Sequence, residues 1–208
     1  MECKLSGYDY SLIYHLASMR EKTLLKSLPR VLRHYYDEDK IVVTKDFIYV
    51  KGQIPVALVA HLDTVHKDPV ETMYHDEKNC VLWSPEGIGA DDRAGVFVIL
   101  KILEDGYRPS IIFCTEEERG GIGASAFVAK YSKPAVPTNF LIEIDRQGAD
   151  DAVYYDLDNE GFENYISSFG FVTDWGTFSD ISIIAPAWKR AAVNVAAGYL
   201  NEHSYAET

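Results

Sequence analysis

Apolar, strand-like runs alternating with helical patterns predict an α/β fold with a mostly parallel central sheet. Two features of the chain carry this expectation. The runs VALVAH (56–61), IIFCTE (111–116), NFLIEID (139–145), SIIAP (182–186) and VNVAAGY (193–199) read as fully buried strands. Between them lie helical patterns such as AGVFVILKILEDG (94–106) and GASAFVAKYSK (123–133). The composition agrees: 208 residues, 47% hydrophobic and 25% charged, suffice for one domain with a buried core. The expected architecture is a single-domain, three-layer α/β/α unit over residues 1–208.

Taken in order, the first element is helical. Over residues 10–36, Leu12, Ile13, Leu16, Met19, Leu24, Leu28, Val31 and Leu32 recur at helical spacing, with an interruption expected near Pro29. IVVT (41–44) and FIYVKG (47–52), separated by Lys45 and Asp46, read as a hairpin. The buried strands and their intervening helices follow, and no repeat, low-complexity segment or linker divides the chain.

The formal net charge is −12. Such a balance disfavours non-specific binding to nucleic acid or to an anionic membrane, whose phosphates would be repelled. It suits cationic ligands, metal ions among them, although an acidic surface also simply keeps a protein soluble. Cys3, Cys80 and Cys114 are odd in number and form no C-x-x-C pair, so neither a disulfide framework nor a thiolate zinc site is expected. That usage fits a reducing compartment, and the cytoplasm is the expected location. The N-terminal stretch has no apolar run of signal-peptide type, and nothing approaches the roughly 20 apolar residues of a membrane span. Monomer or oligomer is left open.

Four buried runs end in residues that bind divalent metals. VALVA runs into His61, Leu62 and Asp63, where side-chain alternation puts His61 and Asp63 on one face. One of these can ligate a metal while the other holds the ligand in place. IIFCT runs into Glu116, Glu117 and Glu118; FLIEI runs into Asp145; VNVAAGYLNE runs into His203. Asp91 and Asp92 precede a helix instead. Each has a plain alternative: a solvated charge run for the Glu triplet, a helix cap for Asp91, an exposed turn for Asp145. One shared crevice outside the carboxyl ends of the strands accounts for all of them together. Histidines and carboxylates without cysteine suit zinc or another first-row divalent ion. Five candidate ligands exceed one tetrahedral site, so two metals sharing a carboxylate, about 3.5–4 Å apart, is the economical arrangement.

HLDTV (61–65), GADDRAG (89–95), FCTEEERGGIGA (113–124), EID (143–145) and GYLNEHSYAE (198–207) resemble, in order, the motifs of the co-catalytic di-zinc aminopeptidases and their peptidase T-like relatives. The segment DWGTFSDISI (174–183) resembles the Gly/Ser/Asp stretch these enzymes carry near the substrate pocket. The resemblance implies a zinc-exopeptidase core and a role for each residue. His61, Asp91 and Asp145 would hold one metal; Asp91, Glu118 and His203 would hold the other, with Asp91 bridging. Asp63 would orient His61. The family's Glu-Glu-x-Gly-x-x-Gly spacing fits Glu117, Glu118, Gly120 and Gly123, which makes Glu117 the general base and Glu118 the ligand. Zinc is the implied ion, with manganese or cobalt as alternatives.

The resemblance also implies the reaction: hydrolysis of short peptides by an aminopeptidase. A deacylase of N-acyl amino acids, or an inactive binding or structural relative, are the competing readings. Only 57 residues separate Asp145 from His203, so no lid or dimerisation insert is expected between them. The sequence ends five residues past His203, where relatives continue into a closing helix. His66, Ser179 and Asp180 are pocket or turn candidates, and Asp92 is an acid beside the bridge or a helix cap. His15, His34 and His75 read as surface residues, and Trp83, Trp175 and Trp188 as packing or pocket-shaping residues.

Overall fold

The computed structural model describes residues 5–155, 157 and 159–208. Helices α1 (Gly7–Ala17) and α2 (Glu21–Leu32) come first. The hairpin β1 (Ile41–Val43) and β2 (Phe47–Val50) leads to β3 (Val56–His61), and β4 (Tyr74–Asp76) pairs with β5 (Val81–Trp83) as a separate antiparallel ribbon. Then follow α3 (Ala90–Glu104), β6 (Ser110–Cys114), α4 (Ile122–Lys130) and β7 (Phe140–Arg146). The remaining elements are β8 (Asp151–Val153), α5 (Glu160–Ser167), β9 (Val172–Thr173), α6 (Asp180–Trp188) and β10 (Ala191–Ala196). Among the described residues no helix is long and apolar enough to cross a membrane.

The main sheet has eight strands in the order β1-β2-β6-β3-β7-β10-β8-β9. Its centre, β6-β3-β7-β10, is wholly parallel, while β2 joins β6 and β8 joins β10 antiparallel. Strand alternation sorts the apolar side chains into two layers. Ile48, Val50, Leu58, Ala60, Ile111 and Phe113 pack against α1, α2, α3 and α5. Phe47, Tyr49, Ala57, Val59, Ile112, Cys114 and Leu141 pack against α4 and α6. The three-layer α/β/α architecture is therefore the direct result of two-sided apolar strands that need cover on both faces. Fully burying side chains such as Ile99, Leu103 and Phe127 supplies about 1.5–3 kcal/mol each.

The hairpin, the strands expected at 56–61, 111–116, 139–145 and 193–199, and the two quoted helices all form, with the second and fourth of those strands ending earlier, at Cys114 and Ala196. Two expectations are corrected. The break between the first helices falls at residues 18–20, not near Pro29, which lies buried inside α2. A proline there deprives the Leu25 carbonyl of its donor, and burial of Leu24, Leu28, Pro29 and Leu32 outweighs that loss. SIIAP (182–186) is not a strand but the middle of α6. The helical period appears once the window is widened, because Ile181, Ile184, Ala185 and Trp188 are the buried apolar positions at i, i+3, i+4 and i+7. The short strands β4, β5, β8 and β9 and helix α5 carry too few periodic apolar residues to be read from sequence. Cys114 is a buried thiol in β6, and Cys3 lies outside the described residues.

The sheet meets α3 at Gly95, where an added Cβ would collide with the Ile144 carbonyl oxygen of β7 and the Asp92 carboxylate. Gly95→Ala must therefore lift α3 from the sheet. The expected cost is about 1–3 kcal/mol in urea unfolding; a variant as stable as the parent would show that this contact does not constrain α3.

Candidate metal centre

The four central strands are parallel, so their carboxyl ends share one edge of the sheet. β3 ends on His61, β6 stops just before the Glu triplet, β7 carries Asp145 near its end, and β10 leads to the loop bearing His203. Alternation then selects the face. Glu143 shares parity with Leu141, and Asn194 with Ala192, which places them on the α4/α6 side, while Asp145 sits where the β7–β10 register shifts.

His61 is 1% exposed and sits among carboxylates. Its Nε2 lies 2.9 Å from Asp91 Oδ1 and 3.4 Å from Asp145 Oδ1, and its Nδ1 lies 3.2 Å from Asp63 Oδ1. His203 Nε2 lies 3.1 Å from Asp91 Oδ2 and 3.1 Å from Glu118 Oε1. The two oxygens of Asp91 thus face two different imidazoles. Asp63 also accepts the backbone N–H groups of Glu117 at 3.0 Å and Glu118 at 3.1 Å, which draws the Glu turn against His61. The structure brings His61, Asp63, Asp91, Glu117, Glu118, Asp145 and His203 into one crevice.

The donor set fits divalent cations. The atoms of His61, Asp91 and Glu118 lie within 4.8 Å of one another, as do those of His61, Asp92 and Asp145. Glu118 Oε1 is buried and receives no hydrogen bond although His203 Nε2 lies 3.1 Å away, a juxtaposition of donor atoms that a cation could bridge. Nitrogen and oxygen donors without sulfur suit zinc, manganese and cobalt. Asp92 belongs to the crowd but is otherwise engaged. Its oxygens accept the His61 N–H at 3.1 Å and the Gly95 N–H at 2.8 Å, so it fixes the end of β3 to the first turn of α3.

Protonation follows from crowding and burial. Burial opposes charge on His61, but Asp145, Asp63 and Asp91 outweigh it and hold the imidazole well above its ordinary value. A hydrogen bond to Asp91, aided by Glu118, raises His203 to about 9. Burial raises Glu117 to about 7, with Glu143, Glu118 and Asp91 adding repulsion. Burial, then the Asp91 charge, raises Asp145 to about 7. Burial also works against charge on Asp91, but hydrogen bonds from His203 and His61 prevail and keep it low. Asp63 is likewise lowered against its burial by His61.

Several supporting groups carry no clear sequence signal. Glu143 is buried under the crevice, bonded to Ser179 Oγ and to the Ile181 N–H at 3.1 Å, at the start of α6. Ser179 and Asp180 therefore lie beneath the site as buried groups, neither pocket wall nor exposed turn. Asn194 joins Asp145, Tyr155 and Ser179. Alternation could have found Glu143 and Asn194, since each is a polar residue on the inner face of an apolar strand. Arg93 is buried and donates to the carbonyls of Leu62 and Met19, tying the α1–α2 turn to the His61 loop. Glu21 accepts the Glu116 N–H at 2.9 Å. His66 meets Glu207 at 2.8 Å. His15 and His34 are exposed as expected, Trp188 is core, Trp83 stacks on Tyr74, and Trp175 is exposed.

Residues 50–169 match the sequence profile of peptidase family M28. No curated protein matches the sequence. Among solved structures, a tripeptidase from Staphylococcus aureus is similar at 13% identity and a TM-score of 0.66, covering 96% of this chain and 92% of its own. Aminopeptidase PepT from Bacillus cereus gives 13% and 0.64, with the same coverage of 96% and 92%. The LapA aminopeptidase of Legionella pneumophila gives 15% and 0.60, covering 95% of this chain and 62% of that one. At these identities the likeness is one of fold.

The raised groups predict how the metal-free protein responds to pH. Glu117 and Glu143 rise from 4.5 to about 7 and about 8, Asp145 from 3.8 to about 7, and His203 from 6.5 to about 9. Each contributes stability fully below its unfolded value and loses it as pH climbs through the folded one. Asp63 and Asp91, shifted down, lose theirs only below about 4. The melting temperature of chelator-treated protein should therefore fall from pH 5 to pH 9, and zinc should restore it at pH 8. A melting temperature that climbs across that range without metal would contradict the crowding.

Proposed function

The chain belongs to peptidase family M28, and on that footing we propose that it is a metal-dependent aminopeptidase acting on short peptides. The observation that carries the reading is the divided carboxylate of Asp91, with one oxygen beside His61 and the other beside His203. In this reading His61, Asp91 and Asp145 hold one divalent cation, and Asp91, Glu118 and His203 hold a second. Zinc is the favoured ion on ligand chemistry.

Bound cations supply Lewis acidity, lowering the pKa of a water to near neutrality and polarising the scissile carbonyl. The protein's own part is proton handling and orientation. Burial leaves Glu117 near pH 7, the range in which a general base can both accept and return a proton. Its carboxylate takes the proton of the attacking water and delivers it to the amine nitrogen as the C–N bond breaks. Asp63 keeps His61 in its ligating tautomer and, through the Glu117 and Glu118 N–H groups, sets where the base stands.

The tripeptidase and aminopeptidase that share the fold support short peptides as the substrate class. Between Asp145 and His203 the described residues form strands and helices of the same α/β/α unit, which supports a catalytic domain without a lid insert. The cysteine usage supports a reducing, cytoplasmic setting.

Glu117→Gln is expected to keep two zinc ions per chain by elemental analysis and to lose about 10²–10⁴-fold in turnover of an aminoacyl p-nitroanilide. Glu118→Gln should lose activity together with a metal ion. Turnover in the parent should stop with chelator and return with zinc. Release of acyl groups from N-acyl amino acids without aminoacyl anilide turnover would move the assignment to a deacylase. A fully active Glu117→Gln protein would remove the proposed base.

A further inference from the structure

The His203 loop raises a question of support. His203 has a half-exposed side chain, 52% accessible, whereas His61 is 1% exposed. A residue on such a loop needs an anchor if it is to complete a metal centre. The loop closes on itself, with the Leu200 N–H donating to the Thr208 carbonyl at 2.9 Å and the Thr208 N–H to Leu200 at 3.1 Å. Ser204 and Asn201 add bonds within it. These contacts shape the loop but do not attach it to the crevice.

Glu207, four residues after His203, does. Its side chain is 1% exposed. Oε1 accepts the Asp91 N–H at 3.0 Å, Oε2 accepts the Gly89 N–H at 2.9 Å, and His66 Nε2 stands 2.8 Å from Oε2. One carboxylate thereby joins three segments: its own loop, the turn that presents Asp91, and the loop that follows His61 and Asp63. Gly89 stands at φ 63 as the N-cap of α3, a left-handed position that turns its N–H toward Glu207. Buried N–H groups this close to the crevice would be costly without an acceptor.

We propose that Glu207 is the positioning residue of the second cation site, holding Asp91 and His203 in register with each other. It touches neither cation nor substrate; it acts through the backbone of Asp91 and through the loop that carries His203. His66 assists by holding Oε2. The role rests on the two-cation reading above. Gln cannot replace Glu207, because whichever way its amide is turned, the NH₂ group faces the N–H of Asp91 or of Gly89.

The test is zinc titration of the full chain by calorimetry, with cobalt absorption as a second readout. Glu207→Gln is expected to weaken the second cation, which depends on both Asp91 and His203, by about 10–100-fold, and the first, which shares only Asp91, by no more than a few-fold. The visible bands that appear with the second cobalt equivalent should weaken or vanish. A residue that merely stabilises the fold would weaken both cations alike. Equal loss at both sites, or unchanged affinity at both, therefore overturns the role. Should Glu207→Gln fail to fold, His66→Ala carries the test, because it keeps both backbone bonds. The second cation should weaken several-fold there, and two unchanged affinities would overturn the proposal. A parent chain that takes up only one cation would overturn the two-cation reading itself and this role with it.

Discussion

Too many carboxylates in one buried crevice is the constraint around which this structure is organised. Asp63, Asp91, Asp92, Glu117, Glu118, Glu143 and Asp145 gather at one edge of the sheet, and burial alone would drive them all toward neutrality. The chain answers with donors placed one by one. The N–H groups of Glu117 and Glu118 serve Asp63, those of His61 and Gly95 serve Asp92, and that of Ile181 serves Glu143. Glu207, just outside the crowd, takes the N–H groups of Gly89 and Asp91. Backbone donors do not move far, so each such bond fixes a carboxylate and a turn of chain together.

The fold supplies those donors because of where its elements begin and end. Parallel strands bring their carboxyl ends to one edge, and the turns that follow expose N–H groups there before they enter helices or new strands. α6 starts beneath Glu143, α3 starts beside Asp91, and the Glu turn starts directly after β6. Gly95 lets α3 approach β7 closely enough for Asp92 to reach the His61 N–H. Arg93, one residue on, spans from the His61 loop to the α1–α2 turn. The N-terminal helices are therefore coupled to the crevice as well as covering the sheet, with Glu21 holding the Glu116 N–H from the same side.

This arrangement explains what could be read from the sequence. The central strands were legible because two-sided burial leaves uninterrupted apolar runs, and their ends were legible because His61, Asp145 and the Glu triplet break those runs abruptly. α6 was misread since the window over residues 182–186 is an unbroken apolar run from Ile183 to Pro186, too short to carry a period. The last two strands of the sheet, β8 and the edge strand β9, of three and two residues, are too short to carry one either. Within the site, the candidate metal-binding side chains announce themselves by type, whereas those that act on backbone N–H groups do not. Glu207 reads as one more acid in a chain of net charge −12, and only its three-dimensional partners distinguish it. Arg93 is similar, a charged residue at the start of an apolar helix whose partners are carbonyl oxygens distant in sequence.

The same distribution of donors singles out Glu117. Asp63, Asp92 and Glu143 are held by backbone N–H groups, and Asp91 and Glu118 face His203. Among the described residues, no donor reaches the Glu117 carboxylate, and its shift to about 7 comes from burial and neighbouring charge. Hydrogen bonds favour the anion and fix a carboxylate in place, so Glu143, raised to about 8 by burial in spite of two such bonds, is held beneath the site. A carboxylate left unpinned in a buried, negatively charged setting keeps its affinity for a proton near neutral pH. Glu116, one residue earlier, pairs with Arg119 at 2.9 Å on the surface, and Glu118, one residue later, is turned to His203. The left-handed turn at Glu116 and the short helical turn Glu117–Arg119 thus separate three adjacent, chemically identical side chains into three environments. Of the three, Glu117 alone is both buried and unpinned, and the backbone rather than the side-chain chemistry makes the difference.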